Sequence, residues 1–289
     1  MSANPISAQP VKEEQLRKPG MSRAQKLLFF LTAWLICLMP FLFWWNTWFG
    51  RKLSNQQLTE YLHDTKKPRH IQQALVQVGE RIARHDPTAQ QWYPQLVLLA
   101  SAPVEEVRNT DAWIMGQDTS GAGFHETLLL MLADPSQMVR GNAALSLVRF
   151  GDASGRAQIL GLLQPAIITS PESGSIVDSD RPGTAIHQGG LIAKLEYGNK
   201  KTAEIRSPIP GRIRSIAATG ANLAAGAEVA VVDPANEQVW EALRALYLIG
   251  QPDDLAAVRP YERDLPDISN DVRQQALETE QAIRNRDRR

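Results

Sequence analysis

Hydrophobic and polar positions alternate in different ways along the 289-residue chain. An uncharged apolar run near the N-terminus is followed by a long stretch in which apolar residues recur at helical spacing. Short apolar runs separated by glycine and proline come next, which is typical of strands and tight turns, and helical spacing then returns. The pattern predicts a multidomain α+β protein. The predicted order is a disordered tail (1–25), a transmembrane helix (26–50), helical repeats (51–165), a small all-β domain (166–234) and further helices (235–289).

The apolar run, Leu27–Phe49, contains about 23 residues without a charge, and a helix needs about 20 to cross a bilayer. Lys26 and Arg51 flank it, and it contains the only cysteine of the chain, Cys37. A cleaved signal peptide is the alternative interpretation. We favour an uncleaved anchor, because bulky tryptophan and phenylalanine stand where small residues should precede a cleavage site. Three tryptophans cluster at one end, as interfacial aromatics do: Trp44, Trp45 and Trp48.

Basic residues flank this run unequally. Only Arg51 and Lys52 follow it closely, with Lys66, Lys67 and Arg69 further on. The larger group precedes it: Lys12, Arg17, Lys18, Arg23 and Lys26. The positive-inside rule therefore predicts a single-pass protein of the inner membrane. Its N-terminal tail is predicted to be cytoplasmic and its C-terminal domains periplasmic or otherwise extracytoplasmic.

The helical segments repeat. Residues 128–152, LLLMLADPSQMVRGNAALSLVRFGD, read as a helix, a turn at Asp134-Pro135 and a second helix. This unit resembles the HEAT repeat, a pair of antiparallel helices that stacks into an α-solenoid. The pattern recurs twice before it and again near the C-terminus, in Val239–Leu255 and Asp267–Arg286. Small residues in corresponding second helices are spaced 38 and 32 residues apart, a plausible solenoid period: Ala74, Ala112 and Ala144.

A different duplication occupies residues 166–234. The stretch that begins SPESGSIV at Ser170 is repeated as SPIPGRIR at Ser207, an offset of 37 residues. Paired glycines within the two copies suggest backbone positions that need a positive φ. The identical pairs are Ser170/Ser207, Pro171/Pro208, Gly174/Gly211, Ile176/Ile213, Gly183/Gly220, Gly189/Gly226 and Ala193/Ala230.

The second copy resembles half of a biotinyl/lipoyl domain, the barrel-sandwich hybrid of periplasmic adaptor (membrane fusion) proteins. The matching positions are Ser207, Pro208, Gly211, Gly220, Leu223 and Gly226. The resemblance covers about 65 residues and implies a small flattened barrel. In the carrier branch of this family, a lysine at the hairpin tip between the two halves is modified. Lys200 occupies that place here, beside Lys201. Asn199 stands where carriers have an acidic residue or methionine, and the long coiled-coil hairpin of typical adaptors is missing.

Composition and motifs add little chemistry. Acidic and basic residues are equal, at 31 each, which predicts no nucleic-acid partner. The five histidines lack metal-ligand spacing, the glycine-rich stretch Gly116–Glu126 lacks the lysine of a phosphate-binding loop, and no nucleophile motif is present. We therefore predict no enzyme activity, cofactor, metal or small-molecule substrate. The predicted function is a non-catalytic, membrane-anchored scaffold or adaptor that binds protein partners in the envelope, with a transport or secretion assembly as the candidate setting. The alternative is a membrane-tethered biotinyl or lipoyl carrier modified at Lys200.

Overall fold

The computed structural model describes residues 22–48 and 52–288, without the side chains of Cys37 and residues 42–48. It confirms the predicted mixture of helix and strand, at 54% and 16%, with two small antiparallel sheets. The chain forms two compact units, Met1–Lys52 and Leu53–Arg289.

The first unit contains one long helix, α1 (Arg23–Trp48), with Pro40 inside it. Its segment Arg23–Phe41 has a mean hydropathy of 1.6 and large exposed apolar side chains. Within the described residues, α1 is the one helix long and apolar enough to cross a membrane. The helix begins inside the segment that was predicted as a disordered tail. The rest of that tail, and residues 49–51 at the end of the predicted span, lie outside the described residues.

The second unit contains ten further helices among the described residues. They are α2 (Asn55–Leu62), α3 (Pro68–Ala83), α4 (Tyr93–Leu99), α5 (Glu105–Met115), α6 (Phe124–Met131), α7 (Gln137–Arg149), α8 (Arg156–Leu162), α9 (Asn236–Ile249), α10 (Leu255–Val258) and α11 (Asn270–Asp287). Short 3₁₀ helices cover Pro87–Trp92, Pro252–Asp254 and Arg259–Glu262. The helices contact one another in consecutive pairs: α2 with α3, α4 with α5, α6 with α7, α8 with α9, and α10 with α11.

The second helix of each pair also packs on the second helix of the next pair, so that α3, α5, α7, α9 and α11 form one row. Hydrogen bonds show how two neighbouring helices of the row, α5 and α7, run relative to each other. Asn142 donates to the Asn109 side chain (2.8 Å), and the hydroxyl of Ser146 donates to the carbonyl of Ala112 (2.8 Å). Since both bonds advance in the same sense, α5 and α7 run parallel. Five small residues are fully buried along this row and let the helices approach closely: Ala74, Ala112, Ala144, Ala242 and Ala276.

A largely buried ion pair joins successive helix pairs. The Arg108 guanidinium on α5 donates to both carboxylate oxygens of Asp134 (2.6 and 3.0 Å), in the turn before α7. Asp134 also accepts the backbone N–H of Ser136 at 2.8 Å. Burial alone would raise the pKa of Asp134, but the hydrogen bonds from Arg108 and Ser136 outweigh it and lower the pKa below its usual value. The pair therefore fixes the spacing of α5 and α7.

Eight strands lie between α8 and α9. They are β1 (Ala166–Thr169), β2 (Gly174–Ser179), β3 (Ala185–Ile186), β4 (Leu191–Tyr197), β5 (Lys201–Arg206), β6 (Gly211–Ile216), β7 (Asn222–Leu223) and β8 (Glu228–Pro234). One sheet has the order β1-β8-β6-β3, the other β5-β4-β2-β7, and all pairings are antiparallel. Their inward side chains, such as Ile176, Leu195, Ile213 and Val232, form a separate apolar core.

The 37-residue duplication relates the two sheets. A shift by 37 residues carries β2 onto β6, β3 onto β7 and β4 onto β8, so each sheet contains strands from both halves. Loop hydrogen bonds obey the same relation. The N–H of Gly189 donates to the carbonyl of Ser207, and the N–H of Gly226 donates to that of Ser170, both at 2.7 Å. The two halves therefore exchange strands about an approximate two-fold axis.

The paired glycines have two different roles. Two pairs adopt the positive φ that was predicted: Gly183 and Gly220 at 87° and 89°, Gly189 and Gly226 at 73° and 79°. For Gly174 and Gly211 the prediction of a positive φ is wrong. A side chain at either position would instead collide with the backbone carbonyl of the neighbouring strand, at Glu196 and Asp233 respectively. These two glycines are needed for close strand approach.

The strand module is inserted inside the fourth helix pair. Three residues separate α8 from β1, and one residue, Ala235, separates β8 from α9. The module also contacts the helices elsewhere. Met138 of α7 packs against the strand core, and the Gln188 amide donates to the carboxylate of Glu105. The module is therefore held against the helices at its attachment and at a second place.

Candidate functional site

The predicted cofactor candidate, Lys200, lies on the turn between β4 and β5. Tyr197 and Lys201 pair across the hairpin, and Gly198 and Lys200 have φ values of 53° and 59°. A positive φ is unfavourable for a lysine, so the hairpin geometry holds it there. Both Lys200 and Lys201 are exposed, and neither makes an ion pair with a described residue. The tip is thus accessible, as the sequence predicted.

A concave surface, the groove, lies between α7 and α9. The Gln137 amide donates to the carbonyl of Gly161 (3.0 Å), and the Gln238 amide donates to that of Leu162 (2.8 Å). Both helices therefore begin beside the end of α8. They contact each other less extensively than α9 and α11 do, and the groove lies between them.

The groove has a volume of about 650 Å³, and residues of five helices (α5, α7, α8, α9 and α11) line it together with Pro210 of the strand module. Its apolar side chains are unusually accessible. Leu248 on α9 is 61% exposed, and Trp113 on α5 and Tyr247 on α9 are about half exposed. Exposed apolar side chains gathered in one concavity are typical of binding surfaces.

Polar groups are distributed unequally along the groove. Glu237 and Gln238 stand at the beginning of α9, with Glu278 of α11 further along, while Arg149 stands at the opposite end. Gln238 is only 9% exposed, and its Oε1 has no hydrogen-bond partner among the described residues. One end of the groove therefore offers hydrogen-bond acceptors and negative charge.

A second, smaller concavity of about 510 Å³ includes part of the predicted glycine-rich loop Gly116–Glu126. Asp118 in this loop accepts the N–H of Ser120 at 2.9 Å and the hydroxyl of Tyr93. Although burial alone would raise the pKa of Asp118, these hydrogen bonds lower it below its usual value. The Asp118 carboxylate is already hydrogen-bonded to Ser120 in the same loop and to Tyr93, which fits the interpretation of this segment as a connector.

Three of the five histidines make local structural contacts. His125 Nε2 and Asp152 Oδ2 are 2.8 Å apart, His70 Nδ1 and Asp64 Oδ2 are 2.9 Å apart, and His63 bonds the carbonyl of Thr59. No group of three or more His, Cys, Asp or Glu side chains that could hold a metal occurs in residues 22–48 and 52–288.

Sequence reasoning missed the groove, and it also missed Asp111. This residue on α5 is fully buried, and neither carboxylate oxygen has a hydrogen-bond partner among the described residues. A signal was present, because Val107, Asp111 and Met115 are four residues apart and share one apolar helix face. Burial raises the pKa of Asp111 well above its usual range.

No known protein family and no curated protein matches this chain. Among solved structures, the chain is similar to a single-chain, multi-domain long-chain acyl-CoA carboxylase at 16% identity and a TM-score of 0.24. The match covers 48% of this chain and 14% of the carboxylase chain. A likeness at this TM-score supports no inference about fold or activity.

Proposed function

We propose that the protein is a non-catalytic, membrane-anchored scaffold or adaptor that binds protein partners in the cell envelope, as part of a transport or secretion assembly. In this proposal the helix pairs form a HEAT-like α-solenoid. The duplicated strands form a barrel-sandwich hybrid of the biotinyl/lipoyl type. The helix α1 anchors the chain in the inner membrane, with a cytoplasmic N-terminus and extracytoplasmic domains.

The solenoid assignment is supported by the row of second helices. Each of these helices packs on the next, and each presents a fully buried alanine to the row. Stacked pairs of this kind expose a long ridge of side chains, and such ridges commonly bind other proteins. The accessible groove between α7 and α9 lies on this row.

The barrel-sandwich assignment is supported by the strand exchange between the two halves. The two sheets have equivalent strand orders under the 37-residue shift, and each contains strands from both copies of the duplicated unit. This is the arrangement that the resemblance implies. The Ser-Pro turns agree with this, because Ser170 and Ser207 bond the carbonyl two residues further on in both copies, at 2.6 Å.

The observation that favours a scaffold over a carrier is the way the strand module is attached. A swinging carrier needs a flexible linker so that its lysine can travel between active sites. Here three residues and one residue connect the module to α8 and α9, and Glu105 and Met138 contact it from the helices. The alternative of a biotinyl or lipoyl carrier rests on the exposed position of Lys200 alone.

Intact-mass spectrometry of the full chain, purified from its native membranes, distinguishes the two functions. The scaffold proposal predicts no biotinyl or lipoyl increment. An increment that disappears in Lys200→Ala, and persists in the control Lys201→Ala, would establish the carrier function and refute the scaffold.

A further inference from the structure

We propose that the groove between α7 and α9 binds a short apolar segment of a partner protein through a lysine or arginine side chain. This inference rests on the proposed scaffold function and deepens it, because it names the binding surface and the chemistry of the partner. The groove is defined by Met138, Leu145 and Arg149 of α7, Glu237, Gln238 and Leu248 of α9, with Trp113 and Glu278 at its sides.

The charge of the groove selects a basic partner. Glu278 accepts the Gln274 amide at 3.0 Å, and neither Glu278 nor Glu237 makes an ion pair with a described residue. Glu241, by contrast, lies 3.8 Å from the Arg244 guanidinium, which also stacks over Trp240. Two carboxylates of the groove therefore have no cationic partner among the described residues and can take one from a ligand. Arg149, a cation of the lining, stands at the end of α7.

The buried amide of Gln238 lies in the wall of the same end of the groove. Its nitrogen donates to the carbonyl of Leu162, so the atom without a partner among the described residues is an acceptor, Oε1. This oxygen has almost no accessible surface, so a ligand N–H group reaches it only when the Gln238 side chain turns toward the groove.

The dimensions of the groove limit the segment. From Met138 to Arg149, α7 rises about 17 Å at 1.5 Å per residue. An extended chain covers this length in about five residues at 3.3 Å each. Apolar side chains on either side of the basic residue then meet Leu145, Trp113 and Leu248.

Three labelled heptapeptides test the proposal by fluorescence anisotropy with the full chain in phosphatidylcholine nanodiscs. Their sequences are Ser-Ala-Leu-X-Leu-Ala-Ser, with lysine, glutamine or glutamate at X, and empty nanodiscs provide the background. We expect the lysine peptide to bind about fivefold more tightly than the glutamine peptide, since one or two accessible ion pairs contribute that factor. The glutamate peptide should bind most weakly.

Matched variants locate the binding. Glu237→Gln combined with Glu278→Gln should abolish the preference for lysine, while Glu60→Gln combined with Glu126→Gln, which changes exposed carboxylates outside the groove, should preserve it. Leu248→Ser should weaken the binding of all three peptides. Leu130→Ser, which changes a 79% exposed leucine on α6, should leave their binding unchanged. Equal binding of the three peptides, no binding, or a lysine preference that survives in the first double variant would each overturn the proposal.

Photo-cross-linking in native membranes separates this inference from the scaffold function. A photoreactive residue at Tyr247 should cross-link to a partner segment that contains lysine or arginine. Cross-links that form only from another surface, such as Leu130, would overturn the groove assignment and leave the scaffold intact. The absence of cross-links from every surface would contradict both.

Discussion

Asp111 should make the folded protein less stable as the pH rises above the acidic range. Its carboxyl group is fully buried and unpartnered, and burial raises its pKa well above the usual range. The folded state therefore keeps a proton that the unfolded state loses. Because the folded state binds more protons, the free energy of unfolding falls with pH, by about 1.4 kcal/mol per pH unit, between the unfolded and folded pKa values.

Asp111→Asn tests this prediction, because asparagine has nearly the same shape and does not ionise. At a pH below the unfolded pKa, variant and wild type should differ by no more than about 1 kcal/mol, since both side chains are neutral. As the pH rises, the variant should become the more stable protein, and the difference should grow by about 1.4 kcal/mol per pH unit.

Urea unfolding of the full chain in detergent, followed by circular dichroism at several pH values, measures the difference. Asp253→Asn, which changes an exposed carboxylate, is the matched control and should leave the pH dependence of the wild type unchanged. If the wild type and Asp111→Asn lose stability in parallel as the pH rises, Asp111 is ionised in the folded protein and the reasoning is wrong.

Three further predictions concern the strand module, the ion pair and the anchor. Ile176→Ala and Ile213→Ala, at equivalent buried positions of the two halves, should each lower the free energy of unfolding by about 2–5 kcal/mol; a negligible loss at only one of them would contradict the two-fold relation. Asp134→Ala leaves the largely buried Arg108 with the carbonyl of Ala102 but without its carboxylate partner, and should cost about 1.5–3 kcal/mol in urea unfolding. Glu80→Ala, which breaks an exposed pair, should cost less than about 1 kcal/mol, and similar losses in the two variants would refute the role given to burial. Alkaline phosphatase fused to the C-terminus should be active if the domains are extracytoplasmic, and cytoplasmic reporter activity would reverse the orientation.

The local parts of the fold were predictable from the sequence. Apolar spacing indicated the helices, and the identical residues of the two SP-x-x-G copies gave the offset that relates β2 to β6 and β4 to β8. Positive φ was predicted correctly where a turn required it, at Gly183 and its equivalents. At Gly174 and Gly211 it was not, because the constraint there is contact with another strand, which a single-residue pattern does not report.

The groove could not be predicted, because it depends on residues that are distant in the chain. The 69-residue stretch 166–234 lies between α8 and α9 in the chain, and the spacing of α7 and α9 follows from how both helices pack beside the end of α8. The free acceptor of Gln238 is likewise a result of packing. By contrast, the exposure of Lys200 followed from its place at the seam between the two halves.

Co-purification from native membranes tests the central claim most directly. The full chain, tagged at its C-terminus, cross-linked in intact cells and analysed by quantitative mass spectrometry, should recover a defined envelope protein in near-stoichiometric amount. The same partner should be recovered with Lys200→Ala, since the scaffold function does not use that amine. Recovery of the chain without any stoichiometric partner, or loss of the partner in Lys200→Ala together with loss of a cofactor-sized mass, would contradict the scaffold account.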